Sequence, residues 1–153
     1  MGVHESLFIR VRGVDGRGII IGNVYRPNTH PYENKAKSLK LTLDSLESAR
    51  SRFSRDRVVL VGDFNIDLGK VLEDDGTLAF ASELVSKGFK EHITRPTRLG
   101  NDSETIIDHI WTWDLRSAVT SGVIHTDISD HFSTFITFCA HEVKRMWLRF
   151  LQF

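Results

Sequence analysis

Residues 58–65 read VVLVGDFN, and this stretch decides the fold. Its four consecutive apolar residues predict a strand that is buried on both faces, as in the middle of an α/β sheet. Gly62 ends the apolar run and allows a neighbouring backbone or a ligand to approach closely. Asp63 and Asn65 then place a carboxylate and a carboxamide on the same side of the strand's end. Taken alone, this pattern also fits an Asx-turn that only closes the strand.

On both sides of this strand, the apolar residues follow either the period of a strand or that of a helix. The alternation in 7–12 and the apolar run in 19–25 predict two strands joined by a turn at 14–18. Apolar spacing of i, i+4, i+7 predicts an amphipathic helix over 33–53. The remaining elements are a helix over 77–86 and strands over 89–94, 105–112, 118–125 and 132–139. The predicted fold class is therefore α/β, of the α+β type, with a mixed sheet.

The composition is that of an ordinary globular domain. Of 153 residues, 41% are hydrophobic and 26% are charged, and the 20 basic residues balance the 20 acidic ones. We expect no disordered chain, because low hydrophobicity and high net charge are both missing. We also expect no membrane span, because no apolar run approaches the roughly 20 residues that a bilayer requires. The single cysteine, Cys139, permits no internal disulfide, and the first residues lack a signal-peptide pattern. The sequence therefore predicts an intracellular protein that is not secreted.

The zero net charge hides an uneven distribution. Residues 60–83 carry one basic and six acidic side chains, whereas 33–57 carry seven basic and four acidic, and 84–100 carry four basic and one acidic. An acidic centre between basic flanks suits a metal site beside a surface that follows phosphates. The same distribution is equally typical of solvated helix faces and loops.

Two further motifs contain residues capable of catalysis. Asp108 lies inside the apolar strand 105–112, where a carboxylate is costly to bury unless it is hydrogen-bonded. His131, in the Ser-Asp-His motif before the last strand, is its expected partner, since a carboxylate can hold the imidazole tautomer and stabilise the cation. His109 faces the opposite side and is expected to be structural, and His92 is expected at the surface. The alternative is a polar pair that caps a strand end.

Other kinds of site are absent from the sequence. There is no CxxC or HExxH motif, no glycine-rich phosphate loop before a helix and no GxSxG elbow. We therefore expect no small-molecule organic cofactor.

The order of these motifs resembles the endonuclease/exonuclease/phosphatase superfamily. Within it, the sequence is most similar to the endonuclease domain of non-LTR (LINE-type) retrotransposons. The segments that carry the resemblance are NVYRP at 23–27, GDFN at 62–65, ITRPTR at 93–98, IDHIWT at 107–112 and DISDH at 127–131. The resemblance implies a four-layer α/β sandwich and hydrolysis of a DNA phosphodiester assisted by Mg²⁺ (or Mn²⁺).

The resemblance also implies roles for individual residues. Asp63 would orient or deprotonate the attacking water, and Asn65 would position that water and the scissile phosphate. His131 would contact the phosphate with Asp108 behind it, and Tyr25 would line the phosphate pocket.

The metal and the DNA have their own implied residues. Asp130, together with Asp63, would belong to the metal shell. Thr94, Thr97 and Arg98 would lie on a surface that contacts the DNA backbone. A protein that acts on chromosomal DNA would be nuclear.

The chain departs from the superfamily pattern at its beginning. Relatives supply an early strand with an asparagine and a later strand with a metal-binding glutamate, and the sequence begins after both. We therefore expect residues 1–140 to form a truncated domain with impaired hydrolysis, followed by a tail at 141–153. One alternative is a catalytically inactive, retroelement-derived remnant that binds nucleic acid or nothing. Another is a phosphatase that acts on a small phosphoester. The sequence does not indicate an oligomeric state.

Overall fold

The computed structural model describes residues 5–12, 17–28, 33–52, 54–100, 103–115 and 119–138. The strands are β1 (Glu5–Arg12), β2 (Gly18–Tyr25), β3 (Arg57–Asp63), β4 (Lys90–Glu91), β5 (Arg98–Leu99), β6 (Glu104–Thr105), β7 (Asp108–Trp113), β8 (Val119–Ile124) and β9 (Ser133–Phe138). The helices are α1 (Glu33–Arg52) and α2 (Asp75–Ser86), with a short 3-10 turn at Leu68–Lys70 between β3 and α2.

Five strands form the main sheet in the order β1-β2-β3-β7-β4. The β2–β3 pair is parallel, with α1 as its crossover, and the other pairs in this sheet are antiparallel. β3 lies at the centre and its apolar residues are buried, as its sequence predicted. The mixed α/β class is therefore confirmed.

Each face of the main sheet has its own hydrophobic core. On one face, α1 and α2 pack against the sheet around Leu43, Leu60 and Phe80. On the other face, the two-stranded sheet of β8 and β9 packs through Ile136 against Ile21 and its neighbours. The result is a helix layer, a sheet layer and a second, smaller sheet layer.

The strand expected over 105–112 is divided into β6 and β7, and two other differences from the predicted bounds have local reasons. α2 begins two residues early, because the Asp74 carboxylate caps the helix by accepting from the Thr77 amide at 2.6 Å. The strand expected over 89–94 is only two residues long. The Glu91 carboxylate accepts from the Ile93 amide at 2.8 Å and replaces a strand partner there.

Some predictions fall on positions that the structure does not describe. These are the tip of the first turn, Cys139 and the tail at 141–153. In the described part of the chain, neither helix has both the length and the apolar character needed to cross a membrane.

Candidate active site

The ends of three neighbouring strands place polar side chains in one row. Tyr25 at the end of β2 is in register with Asp63 at the end of β3, and Asp63 is in register with Asp108 at the start of β7. Gly62 makes the close packing of these ends possible. Its φ is +140°, and a Cβ there would lie 1.9 Å from the Val24 carbonyl oxygen. The backbone is thus what approaches this glycine.

Asp63 closes β3 in an Asx-turn. Its Oδ1 accepts from the Asn65 amide at 2.9 Å, and its Oδ2 accepts from the Asn65 side-chain Nδ2 at 3.0 Å. Asn65 adopts a left-handed conformation with a φ of +47°. The Asx-turn and the pair of polar side chains are therefore not alternatives, since the turn itself holds the Asp63 and Asn65 side chains at the strand end.

The histidine of the Ser-Asp-His motif reaches the buried carboxylate of β7. The Nδ1 atom of His131 lies 3.1 Å from Oδ2 of Asp108. The Asp108 side chain is 5% exposed and that of His131 is 32% exposed, so the pair joins the interior to the surface. A backbone bridge between His131 and Arg98 holds this segment in place. The residues expected to pair are therefore in contact.

Thr97 does not lie on the surface where it was expected. Its side chain is buried, and its Oγ1 accepts from the amides of Ile107 and Asp108 at 3.1 and 3.0 Å. The expected surface position of Thr97 is therefore wrong, because the hydroxyl accepts from amides at the start of β7. Thr97 instead lies behind Asp108.

Arg98 and Asp130 form an ion pair at the rim of this row. Arg98 Nε lies 2.8 Å from Oδ2 of Asp130, and the two side chains are 42% and 52% exposed. The Leu99 amide also donates to the Asp130 carbonyl at 3.0 Å. Thr94 is exposed on the preceding loop. Asp130 is thus engaged by a cation of the protein itself.

The carboxylates of the row have perturbed affinities for protons. Burial raises the pKa of Asp63, and hydrogen bonds from Asn65 and the nearby charges of His131 and Arg98 oppose this only in part. Burial also raises the pKa of Asp108, which Asp63 raises further and which hydrogen bonds from Thr97 and His131 lower. By contrast, the hydrogen bond from Arg98 lowers the pKa of Asp130.

Asp63, Asp108 and His131 together could hold a metal ion. One ligand atom from each lies within 4.8 Å of the others. Two carboxylates of raised pKa suit a hard divalent cation, since Mg²⁺ prefers oxygen ligands and a nearby positive charge favours the ionised form. Asp130, which was expected in the metal shell, is not in this group within the described residues.

Sequence reasoning missed Arg26, which it included only as part of the NVYRP segment at 23–27 and to which it gave no role. The residue is 4% exposed, and its guanidinium donates to the carbonyl oxygens of Phe64 and Asn65 at 2.6 and 2.5 Å. A charged residue directly after a buried strand was the available signal.

Two other histidines are held by the fold. His109 is fully buried and structural, as expected, with its Nε2 bonded to the carbonyl of Ile66 at 2.9 Å and its ring stacked on Phe64. His92 is not a free surface residue, because it is partly buried and bonded to the Thr112 hydroxyl at 2.7 Å.

The chain is similar in structure to solved proteins with which it shares little sequence. A mannosyl-6-phosphatase from Bacteroides thetaiotaomicron aligns with 88% of this chain at a TM-score of 0.64 and 19% identity. The human Nocturnin catalytic domain aligns with 89% at a TM-score of 0.60 and 14% identity. TDP2 from D. rerio, complexed with a single-strand DNA product, aligns with 87% at a TM-score of 0.54 and 17% identity.

At these identities the likeness establishes the fold. The chain spans 57%, 53% and 60%, respectively, of the lengths of these three proteins. No curated protein matches the sequence. A family model does match it, over residues 3–131, which include all the strand ends described above. The chain therefore belongs to the endonuclease/exonuclease/phosphatase family.

Proposed function

We propose that this chain carries the catalytic strand ends of a metal-dependent DNA endonuclease of the non-LTR retrotransposon type. The observation that carries the proposal is the 3.1 Å contact between His131 and the buried Asp108, with Asp63 in register beside Asp108. A carboxylate that orients a histidine next to a second carboxylate is suited to acid–base work on a phosphodiester.

His131 would act on the phosphate. With Nδ1 donating to Asp108, Nε2 is the ring nitrogen left for a phosphate oxygen. The buried carboxylate of Asp108 fixes the tautomer and stabilises the imidazolium, which would in turn stabilise negative charge that develops in the transition state.

Asp63 would orient the attacking water and accept its proton. Its raised pKa makes the carboxylate a better base than an exposed aspartate. Tyr25, which is 44% exposed and in register with Asp63, would line the phosphate pocket. Asn65 holds the Asp63 carboxylate through two hydrogen bonds and so fixes its direction.

A divalent cation, Mg²⁺ or Mn²⁺, fits the donor set. Asp63 and Asp108 would supply carboxylate oxygens, and Asp130 would contribute only after it leaves Arg98. Such an ion, when bound, polarises a phosphoryl oxygen and neutralises charge on it.

DNA is the proposed substrate class because of the side chains at the rim. Arg98 is accessible next to the row, Thr94 is exposed on the preceding loop, and a guanidinium is suited to bind a phosphate through two hydrogen bonds. The retrotransposon type is supported by the ordered motifs from 23–27 to 127–131.

The test is nicking of supercoiled plasmid by the purified full chain. We expect nicking in Mg²⁺ or Mn²⁺, none in EDTA, and none from an Asp63→Ala variant of unchanged fold. Wild-type activity that survives EDTA, or an Asp63→Ala variant as active as wild type, would contradict the proposal.

A second candidate is an inactive, retroelement-derived remnant that binds nucleic acid. It is favoured by the Arg98–Asp130 ion pair, since among the described residues Asp130 is not in the group that could hold a metal ion. A binding assay at several salt concentrations separates the two. Phosphate contacts give affinity that falls steeply with salt, and a remnant would show this without nicking.

A further inference from the structure

We propose that Arg26 is a positioning residue that clamps the Asp63–Asn65 turn and so fixes the direction of the Asp63 carboxylate. The proposal deepens the endonuclease function proposed above and rests on it for its catalytic consequence. The clamp itself rests on hydrogen bonds of the described residues alone.

The Arg26 side chain forms hydrogen bonds with the turn from the interior of the protein. Its Nε donates to the Phe64 carbonyl oxygen at 2.6 Å and its Nη2 to the Asn65 carbonyl oxygen at 2.5 Å. The residue is only 4% exposed, so water competes little for these carbonyls. A planar guanidinium can hold two consecutive carbonyls in a fixed geometry, which a single ammonium group cannot reproduce.

The Asp63–Asn65 turn also forms hydrogen bonds with the Arg26 backbone. The Arg26 amide donates to the Asp63 carbonyl at 2.9 Å, and the Asn65 Nδ2 donates to the Arg26 carbonyl at 2.8 Å. The end of β2 and the turn after β3 are thus joined by reciprocal hydrogen bonds in both directions. Displacement of either segment breaks bonds made by the other.

This clamp supports a backbone that is unfavourable for most residues. Asn65 has a φ of +47°, in the left-handed region, where asparagine is tolerated better than most side chains. The two carbonyls held by Arg26 flank this residue. Without them, the turn can relax toward the right-handed region and carry the Asn65 side chain away from Asp63.

The clamp also determines what Asn65 can do. Its Nδ2 carries two hydrogens, and the Arg26 carbonyl and the Asp63 Oδ2 accept at 2.8 and 3.0 Å. Both donors are therefore used within the protein. In the ligand-free chain, the Asn65 side chain thus orients the Asp63 carboxylate and is itself held by the Arg26 carbonyl.

The experiment compares Arg26→Lys and Arg26→Met with Arg10→Met in the full, ¹⁵N-labelled chain without metal. Arg10 is a suitable control because its guanidinium is likewise held by hydrogen bonds, in this case to Asp56, at the other end of β2 and β3. Hydrogen exchange is measured at the Asn65 amide, which donates to Asp63, and at the Val59 amide in the centre of β3.

In both Arg26 variants, we expect exchange at Asn65 to accelerate at least about tenfold more than at Val59, as for loss of a hydrogen-bonded local structure. Arg10→Met should leave the ratio of the two rates unchanged. An unchanged ratio in the Arg26 variants, or a wild-type ratio in Arg26→Lys, would overturn the clamp, because burial of a cation alone would then suffice.

Nicking kinetics provide the catalytic readout. We expect a lower kcat with little change in KM for both Arg26 variants. A wrongly oriented Asp63 carboxylate affects the chemical step and not the binding of DNA. An equal rise in KM with kcat unchanged would overturn the positioning role. A wild-type chain that does not nick would refute the proposed function and leave the exchange ratio to decide whether the clamp exists.

Discussion

The two ends of the central strands carry buried or partly buried aspartates in opposite electrostatic settings. At the end where β2 and β3 begin, Asp56 accepts from the Arg10 guanidinium and from the Gly18 amide, the latter at 2.7 Å. Burial acts to raise the pKa of Asp56, but these bonds outweigh it and leave the pKa below its ordinary value. At the other end, burial prevails and the pKa values of Asp63 and Asp108 are raised.

The difference lies in whether the fold supplies a cation. Asp56 has its own arginine, whereas among the described residues neither Asp63 nor Asp108 has an ion pair with lysine or arginine. A carboxylate that is paired with a cation of the same chain stabilises the fold and is not available to bind an external cation. Carboxylates that remain undercompensated destabilise the fold and can bind an external cation or a proton, which is typical of functional sites.

The largest expected effect on nicking comes from Asp63→Asn. We expect nicking to fall by about 1,000-fold, because the base is lost while the turn keeps one of its two acceptor oxygens, the one that accepts from the Asn65 amide. The free energy of unfolding should rise, since a partly buried carboxylate of raised pKa is replaced by a neutral side chain. Plasmid nicking and urea denaturation at pH 7 measure the two effects. A variant that keeps its activity, or that is less stable than wild type, would break the comparison.

Gly62→Ala should have the next largest effect on nicking. A Cβ at Gly62 would lie 1.9 Å from the Val24 carbonyl oxygen at a φ of +140°, so the strand end must move. We expect a loss of about 3 kcal/mol or more in stability and of about 100-fold in kcat.

Gly18→Ala is the matched control at the opposite end. Its Cβ would lie 2.7 Å from Oδ2 of Asp56, so we expect lower stability with kcat per folded molecule unchanged. An equal loss of kcat in both glycine variants would show that the site responds to general destabilisation.

Asp56→Asn should affect stability and leave turnover per folded molecule unchanged. At pH 7 we expect a loss of about 3 kcal/mol, because one partner of a largely buried ion pair is removed. Since the folded pKa lies below the ordinary 3.8, the contribution of Asp56 is present above that value and is lost as the pH falls through the folded pKa. Urea denaturation at pH 7 and pH 3 should show the difference between variant and wild type shrinking in acid. A difference independent of pH would contradict this.

The elements of the fold were predictable where a local pattern determines them. The apolar run of β3 and the helical spacing of α1 were enough to predict these two elements. A strand buried on both faces has a continuous apolar run, whereas a helix buried on one face has apolar residues at helical spacing. The early start of α2 and the short β4 were not predicted. Each depends on one carboxylate, Asp74 or Glu91, that bonds a backbone amide nearby.

The candidate site was predictable only in part, because it is assembled from distant segments. The contact of Asp108 with His131 followed from the cost of burying an unpartnered carboxylate. Nothing local distinguished buried Thr97 from its more exposed neighbour Arg98, since the two are adjacent in one short polar stretch of sequence. Arg26 was missed because its partners are carbonyl oxygens, which leave no pattern in side-chain sequence.

Glu91→Gln tests whether a raised pKa alone marks function, and it should have the smallest effect on nicking. Glu91 lies in β4, and its Oε1 accepts from the amides of Ile93 and Ile110 at 2.8 and 3.4 Å. Burial raises its pKa to about 8, from an ordinary 4.5. Between these values the folded chain holds a proton that the unfolded chain releases, so stability should fall as the pH rises from about 4.5 to about 8.

Glutamine keeps the acceptor oxygen and does not titrate. The fall in the free energy of unfolding between pH 5 and pH 8 should therefore be smaller in Glu91→Gln than in wild type, with kcat unchanged. Urea denaturation at both pH values and plasmid nicking at pH 7 measure this. A wild-type slope in the variant would show that Glu91 does not titrate in this range. A reduced kcat would show that a buried carboxylate without a cation affects turnover even away from the row of Tyr25, Asp63 and Asp108. The contrast between the two strand ends would then not distinguish a functional site from a structural one.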